Sequence, residues 1–270
     1  MLNATIYLTH SLVNDELTLK DKNVIIIDVL RATSTINVAL SNGAKEVIPA
    51  DTPTKAARIG KGAGNSLLCG ERNGKIVEGF NLGNSPLEYT SEIVKDKVLV
   101  FSTTNGTMSI LKAKYAKTCV LASFLNINRV VEFIENLNED FVIICSGKLN
   151  NFCIEDTVCA GMILRKLKKD KIELAVNDPE VTSEVLAKHY LKDASNAQDD
   201  AVLKMLKETE HGKYLIGIGF EDDLNLCSKL NSYPALPMYQ NGLIKLKEAF
   251  DAEAVQKAAM KKTVIHDSAA

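Results

Sequence analysis

The sequence predicts an α/β fold, in which a largely parallel or mixed sheet lies between layers of helices as α/β/α. Two observations favour it. Short apolar segments rich in β-branched residues alternate with helical patterns over the first half of the chain. Two of these segments, residues 24–27 and 98–101, are apolar at every position, as strands covered on both faces are. With 270 residues, 46% of them apolar, the chain is long enough to bury such a sheet.

Seven segments are predicted as strands because each is short, apolar and followed by turn or cap residues. They are residues 6–8, 24–29, 46–49, 66–70, 97–102, 118–122 and 141–146.

Helix boundaries are marked by cap residues. A helix over residues 32–42 ends before Gly43, and Pro53 takes the first helical position after Thr52. Ser85 and Glu88 have the spacing of a capping box and predict a helix there. Further helices are predicted over residues 155–169, 180–191 and 197–208, the last two rich in lysine.

Charge and composition exclude several classes of protein. The 32 basic and 34 acidic residues nearly cancel, so no overall field attracts nucleic acid or an anionic membrane. Neither a signal peptide nor a membrane-spanning run is readable, and six scattered cysteines predict buried free thiols, so we expect a cytoplasmic protein. Residues 1–270 are predicted to form one unit; two α/β lobes around one cleft stay an alternative without a readable boundary.

The first candidate site follows the strand over residues 24–29. In open parallel sheets, ligands bind beyond the carboxyl ends of strands. Asp28 closes four apolar residues, and Arg31 lies three residues further on. The two could form a structural ion pair, or Asp28 could be a metal ligand or nucleophile beside an arginine that clamps phosphate. The hydroxyl residues that follow are candidate substrate contacts: Thr33, Ser34 and Thr35.

A second strand end is crowded with polar residues just before a helical pattern. Such a segment is either a phosphate cradle or an ordinary cap loop, because both use the same residue types. The candidates for substrate binding are Thr103, Thr104, Asn105, Gly106 and Thr107. Ser123 and Lys148 follow two further strands and are candidates for the same reason.

Two more regions complete the candidate set. Residues 70–86 form a long loop rich in glycine and amides, and long ordered loops are usually functional. Its candidates are Glu71, Arg72, Asn84 and Ser85. Glu155 and Asp156 open a helix, where acids often only complement the helix dipole. Brought near Asp28, they would supply the oxygen ligands that Mg²⁺ prefers.

Three other interpretations are set aside. Cys159 and Arg165 have the spacing of a cysteine phosphatase, but the residues between them are apolar and helical. Leu30 occupies the position of the second aspartate of haloacid-dehalogenase phosphatases. The four histidines show no metal-ligand spacing, which argues against zinc.

Several ordered segments together resemble the 2-phosphosulfolactate phosphatases, the ComB family. They are the segment from Asp28 to Thr35, Gly70-Glu71-Arg72, Gly79-Phe80-Asn81-Leu82-Gly83-Asn84-Ser85-Pro86, residues 103–107, Glu155-Asp156 and Cys159-Ala160-Gly161. The resemblance implies an α/β/α architecture peculiar to that family. It also implies Mg²⁺-dependent hydrolysis of 2-phosphosulfolactate to 3-sulfolactate and phosphate, a step of coenzyme M biosynthesis.

The resemblance assigns roles to the candidates. Asp28, Arg31 and Lys148 are expected to be catalytic, and Asp28, Glu71, Glu155 and Asp156 to hold Mg²⁺. Lys148 stands where an arginine is expected. Lysine keeps the positive charge but cannot form the bidentate hydrogen bonds of a guanidinium group. Whether Asp28 attacks phosphorus or holds the metal stays open. So do homo-oligomerisation, a phosphatase acting on another small phosphorylated acid, and a non-catalytic phosphate- or sulfonate-binding module.

Overall fold

The computed structural model describes residues 1–191 and 198–256, and within them it contains one eleven-stranded sheet. The strands are β1 (Leu2–Tyr7), β2 (Asn23–Ile27), β3 (Glu46–Pro49), β4 (Ser66–Arg72), β5 (Lys75–Ile76), β6 (Val98–Ser102), β7 (Thr118–Ala122), β8 (Phe141–Cys145), β9 (Leu174–Ala175), β10 (Pro237–Gln240) and β11 (Leu243–Leu246).

Helices cover both faces of this sheet. They are α1 (Ala32–Ser41), α2 (Pro53–Gly62), α3 (Ser91–Val94), α4 (Gly106–Lys112), α5 (Ile127–Leu137), α6 (Ile154–Lys169), α7 (Asp178–Leu191), α8 (Gln198–Glu208), α9 (Glu210–Gly217) and α10 (Glu221–Cys227). The predicted α/β class with a layered, mixed sheet is confirmed. Among the described residues, no helix is both long and apolar enough to cross a membrane.

The sheet is mixed because a hairpin joins two parallel blocks. Its strand order is β5-β4-β6-β3-β11-β10-β7-β2-β8-β1-β9. The block of β4, β6 and β3 is parallel, as is the block from β7 to β9, and β10 and β11 pair antiparallel between them. Three successive antiparallel pairings make the two blocks run in opposite directions.

Strand β2 lies between β7 and β8 in the second block and packs on both faces. Ile25 and Ile27 contribute to the core beneath α5 to α10, whereas Val24 and Ile26 contribute to the core beneath α1 and α3. All four side chains are almost fully buried. The uniformly apolar pattern of this segment therefore arises, as predicted, because the strand is covered on both faces and alternate side chains point to opposite faces.

Most predicted elements are present, with shifts of one to four residues at their ends. All six cysteines are buried and free, as predicted. The capping-box prediction at Ser85 is wrong: residues Pro86–Glu88 form a single 3₁₀ turn, and the Ser85 hydroxyl makes no cap hydrogen bond. The first residue of the helix predicted over 197–208 lies outside the described residues, and α8 begins at Gln198.

The carboxyl ends of β4, β6 and β2 lie together although their blocks run in opposite directions. Gly70 pairs with Ser102 across β4 and β6. Gly106, just beyond β6, packs directly against Ala32 and Asp28 beyond β2. The loops that follow β6 and β2 are therefore in direct contact. This is where the polar segments of the sequence meet.

Candidate active site

A cleft of about 750 Å³, open solvent at its mouth included, lies at these strand ends. Eight candidates named from the sequence line it: Asp28, Arg31, Glu71, Asn84, Thr103, Thr104, Asn105 and Lys148. The remaining lining residues are Leu30, Asn73, Gly74, Leu149, His211, Tyr214 and Leu215.

Asp28 is held by the turn that leads into α1. Its Oδ1 accepts a hydrogen bond from the Ala32 amide at 3.1 Å, and its own amide donates to Thr33 Oγ1 at 3.0 Å. Burial and, to a smaller extent, the nearby Asp156 raise the pKa of the Asp28 carboxyl to about 8. The carboxyl of Asp28 therefore lies on the cleft in an environment that disfavours its negative charge unless a cation is close.

Asp156, in the first turn of α6, accepts a hydrogen bond from a main-chain amide with each of its carboxylate oxygens. Oδ1 accepts from Val29 at 2.9 Å and Oδ2 from Gly147 at 3.0 Å. These bonds tie together the loops after β2 and β8, which carry Asp28 and Lys148. Burial raises the pKa of Asp156 to about 7, and Glu155 adds to the effect.

Glu71 and Glu155 differ in how their oxygens are used. Glu71 accepts from the amides of Thr104 and Gly74, each at 2.8 Å, so both of its oxygens have partners. Glu155 is 1% exposed; its Oε1 lies 3.1 Å from His211 Nδ1, and its Oε2 has no hydrogen-bond partner. A buried carboxylate oxygen without a partner is costly, and a bound cation would satisfy it.

In the described ranges 1–191 and 198–256, no three His, Cys, Asp or Glu side chains are arranged as a complete metal cage. Mg²⁺ does not need one, since it commonly takes one or two carboxylates and completes its shell with water and substrate phosphate. The Asp28 carboxyl on the cleft and the unpartnered Glu155 oxygen have the chemistry that such an ion requires. The donor set fits Mg²⁺.

Arg31 reaches the cleft from just beyond β2. Its Nη1 donates to Asp223 Oδ2 at 2.5 Å and its Nη2 to the Gly74 carbonyl at 2.8 Å. The guanidinium carbon lies 4.3 Å from the centre of the Phe220 ring. The alternative of an ion pair between Asp28 and Arg31 is wrong, because Arg31 pairs with Asp223 instead; Arg31 also lines the cleft, as the other alternative requires.

Lys148 follows β8 and Gly147. Its Nζ lies 2.9 Å from Glu210 Oε1 and 4.9 Å from the centre of the Tyr214 ring. Glu210 is 90% exposed, so this ion pair is weak and leaves the ammonium available to an anion in the cleft.

The loop after β6 and the loop before residue 86 present two further unpartnered atoms. Thr104 Oγ1 and Asn84 Oδ1 are buried without hydrogen-bond partners, and both residues line the cleft. Asn105 Oδ1 accepts from the Leu149 amide at 3.1 Å, which links this loop to the Lys148 loop. Thr103 and Thr107 bond each other through hydroxyl and main chain.

Several predicted substrate contacts do not line the cleft. Thr33, Ser34 and Thr35 donate their hydroxyl groups to main-chain carbonyls, at distances of 2.7–2.8 Å. Ser123 accepts from the Leu125 amide and caps a 3₁₀ turn. These side chains hold the loops that form the cleft. The others outside its lining are Arg72, Ser85, Gly106 and Thr107, together with the predicted metal ligands Glu155 and Asp156.

Arg72 also binds main chain. Its guanidinium donates to the carbonyls of Glu71, at 2.6 Å, and of Ser102, at 3.1 Å, and to Ser102 Oγ at 3.0 Å. These contacts join the ends of β4 and β6. The structure therefore places Arg72 as a clamp between strands beside the cleft.

The contribution of the C-terminal helices to the cleft was not predicted from the sequence. His211, Tyr214 and Leu215 of α9 line the cleft, and Asp223 of α10 pairs with Arg31. The spacing of His211, Tyr214 and Leu215 places them on one face of a helix, which was the available indication. Nothing local to α9 or α10 shows which strand end they cover.

Comparisons with known proteins show which proteins this chain is similar to. A family model described as 2-phosphosulpholactate phosphatase matches residues 7–242. A protein of Caldanaerobacter subterraneus subsp. tengcongensis is 37% identical over 246 residues, covering 90% of this chain and 98% of its own length. Proteins of Thermotoga maritima and Clostridium tetani are each 39% identical, covering 84% of this chain and 93% of their own lengths. All three are named probable 2-phosphosulfolactate phosphatase.

Proposed function

The chain belongs to the 2-phosphosulfolactate phosphatase family, and on that premise we propose that it is a Mg²⁺-dependent phosphatase hydrolysing 2-phosphosulfolactate to 3-sulfolactate and phosphate. The observation that carries this proposal is the Asp28 carboxyl, which lines the cleft together with Arg31 and Lys148 and is followed by the buried carboxyls of Asp156 and Glu155 behind it.

The acid group argues for a metal and against a simple anion-binding module. Three buried carboxyls beside an anionic ligand repel it unless a cation lies between them. Asp28 and Glu155 are the side chains we expect to hold Mg²⁺, because Glu71 and Asp156 already accept two main-chain hydrogen bonds each. When bound, the ion would polarise the phosphoryl group and offset its negative charge.

The protein's own groups then bind and orient the substrate. The substrate carries phosphate, sulfonate and carboxylate on three carbons, so it needs several cations and hydrogen-bond donors. Arg31 and Lys148 supply charge on the cleft, and the unpartnered Thr104 hydroxyl supplies a neutral donor. Tyr214 and Leu215 of α9 cover part of the cleft and limit access of water.

We assign Asp28 the role of metal ligand. Its raised pKa makes the carboxyl a poor nucleophile in the absence of a cation, and a bound cation stabilises the carboxylate form. An aspartyl phosphate, trapped by acid quench during turnover, would contradict this assignment and identify Asp28 as the nucleophile.

The test is turnover of 2-phosphosulfolactate, measured with Mg²⁺ and with excess EDTA. We expect activity only with Mg²⁺, and a fall in kcat/KM of about 100-fold or more in Asp28→Asn, because metal stabilisation of the transition state is worth several kcal/mol. Asp200→Asn, an exposed aspartate on α8, is the matched control and should keep full activity. Full turnover in EDTA would disprove the metal dependence.

Substrate identity is tested with 2-phospholactate, which lacks the sulfonate. A site built for a charged group rejects an analogue without it, so kcat/KM should fall by about 100-fold or more. An unchanged kcat/KM would favour a phosphatase for another small phosphorylated acid. Absence of turnover on any such acid, with phosphate still bound, would favour the non-catalytic module.

A further inference from the structure

Arg31 is fixed on three sides by groups from distant parts of the chain. Asp223, 192 positions later, accepts from Nη1; the Gly74 carbonyl accepts from Nη2; and the Phe220 ring lies against the guanidinium face. Both charged side chains are only 2% exposed. The plane and direction of the guanidinium are therefore set by α10 and the loop after β4.

Asp223 is itself held in place. Its second oxygen, Oδ1, accepts from the Ser85 hydroxyl at 2.5 Å, so each carboxylate oxygen has one strong partner. Asp223 and Ser85 do not line the cleft, whereas Arg31 does. Any effect of Asp223 on a ligand must then pass through Arg31.

Stability alone does not account for this arrangement. Burying an ion pair gains little over packing apolar residues of similar volume, because desolvation offsets the attraction. The pair does fix an orientation. A guanidinium has five N–H donors, and the two bonded to Asp223 and Gly74 leave three without acceptors among the described residues.

We propose that Asp223 is a positioning residue that aims the free N–H groups of Arg31 at the phosphoryl oxygens of a ligand in the cleft. The inference rests on the proposed function in that the ligand is the phosphorylated substrate or its phosphate product. Ser85 supports Asp223, and Phe220 keeps the guanidinium plane fixed.

The first measurement uses inorganic phosphate as the probe, titrated calorimetrically into Mg²⁺-containing protein. Asp223→Asn keeps the side-chain volume but removes the charge, and we expect phosphate affinity to fall about tenfold or more, the worth of a charge-assisted hydrogen bond. Asp222→Asn changes the exposed neighbouring aspartate and should leave affinity unchanged. Phosphate binding is read without turnover, so it stays informative even if 2-phosphosulfolactate is not the substrate.

The second measurement separates positioning from a merely structural role. Arg31→Ala leaves a gap bordered by Asp223, the Gly74 carbonyl and Phe220, which millimolar guanidinium should fill. We expect guanidinium to restore phosphate affinity about tenfold in Arg31→Ala and to have no such effect in Arg31→Ala with Asp223→Asn. Should Asp223→Asn fail to fold, Ser85→Ala, which removes only the support of Asp223, should weaken phosphate binding about threefold or more.

Three results would overturn the proposal. One is unchanged phosphate affinity in folded Asp223→Asn or, if that variant does not fold, in Ser85→Ala. Another is equal guanidinium rescue in both backgrounds. The third is wild-type protein that binds no phosphate, because an aimed guanidinium with free donors must attract a phosphate oxyanion.

Discussion

Glu155 Oε1 lies 3.1 Å from His211 Nδ1, whereas Glu155 Oε2 is buried without a hydrogen-bond partner. The contact joins the first turn of α6 to α9, through two residues that lie 56 positions apart in the sequence. It also orients the His211 ring on the cleft. Because Nδ1 contacts the Glu155 carboxylate, Nε2 is the ring nitrogen that remains for other contacts. The unpartnered oxygen is the observation that most directly supports the proposed Mg²⁺ site.

Glu155→Gln should weaken Mg²⁺ binding. The amide cannot offer two anionic oxygens, so we expect the dissociation constant for Mg²⁺ to rise about tenfold or more, as for the loss of one charge-assisted contact. Isothermal titration with MgCl₂ measures this directly. Glu208→Gln, on the exposed side of α8, is the control. Equal Mg²⁺ affinity in both variants would show that Glu155 is not a ligand.

Stability without divalent ions should fall as pH rises. The pKa values of Asp28 and Asp156 are about 8 and 7 in the folded protein, against an ordinary 3.8. Between about pH 4 and 8 the folded state therefore retains protons that the unfolded state releases, so the free energy of unfolding is highest below this window and is lost through it. Urea denaturation in EDTA at several pH values measures the slope.

Two comparisons sharpen that measurement. Asp28→Asn removes one titrating group, so its stability should depend less on pH, whereas Asp200→Asn should keep the wild-type slope. Added Mg²⁺ should stabilise the protein more near pH 8 than near pH 5, because the ion competes with protons for the same carboxyls. Metal-free protein that gains stability across this range would contradict the raised pKa values.

Gly106→Ala should damage the site through packing alone. An added Cβ would lie 2.6 Å from Asp28 Oδ2 and would also overlap the Ala32 side chain. We expect a loss of about 1–3 kcal/mol in stability, the usual effect of overpacking, and an activity loss of about tenfold or more as Asp28 is displaced. Thermal unfolding and kcat/KM measure the two effects.

Gly62→Ala is the matched glycine control. Gly62 ends α2, has no atom within 4 Å of the added Cβ, and does not line the cleft. Its replacement should leave activity unchanged and raise stability by up to about 1 kcal/mol. Equal activity in both variants would mean that the contact of Gly106 with Asp28 does not matter.

Arg72→Lys should reduce stability without weakening substrate binding. Lysine keeps the charge but cannot donate to the Glu71 and Ser102 carbonyls and to Ser102 Oγ from one plane. The expected loss is about 1–3 kcal/mol in the free energy of unfolding, with KM changed less than about twofold. A large rise in KM at unchanged stability would instead support the substrate contact predicted for Arg72 from its place in the loop over residues 70–86.

Residues close to the ends of strands could be predicted from the sequence. Asp28 follows a run of buried apolar residues, and a carboxyl there needs a partner, so its place at the site was readable. The same reasoning found Thr104 and Lys148 beyond β6 and β8. In each case the strand pattern and the ligand-binding edge of an α/β sheet were sufficient.

Polar residues whose partners lie far along the chain could not be predicted. Ser85 has the spacing of a helix cap, yet its hydroxyl donates to Asp223, 138 positions away. His211 lies within a helix whose sequence does not show that Glu155 packs against it. Tertiary hydrogen bonds of this kind outweigh local preferences, because a cap contributes only about 1 kcal/mol.

The hairpin of β10 and β11 was missed although Asn241 and Gly242, the residues of its turn, both have positive φ and form the commonest hairpin dipeptide. Every other strand of the sheet comes earlier in the chain. While the polypeptide is being synthesised, β3 and β7 therefore stay as two inner edges with open hydrogen-bonding groups. Exposed strand edges recruit other chains, so a ribosome that stalls before residue 237 releases a product prone to aggregate through those edges.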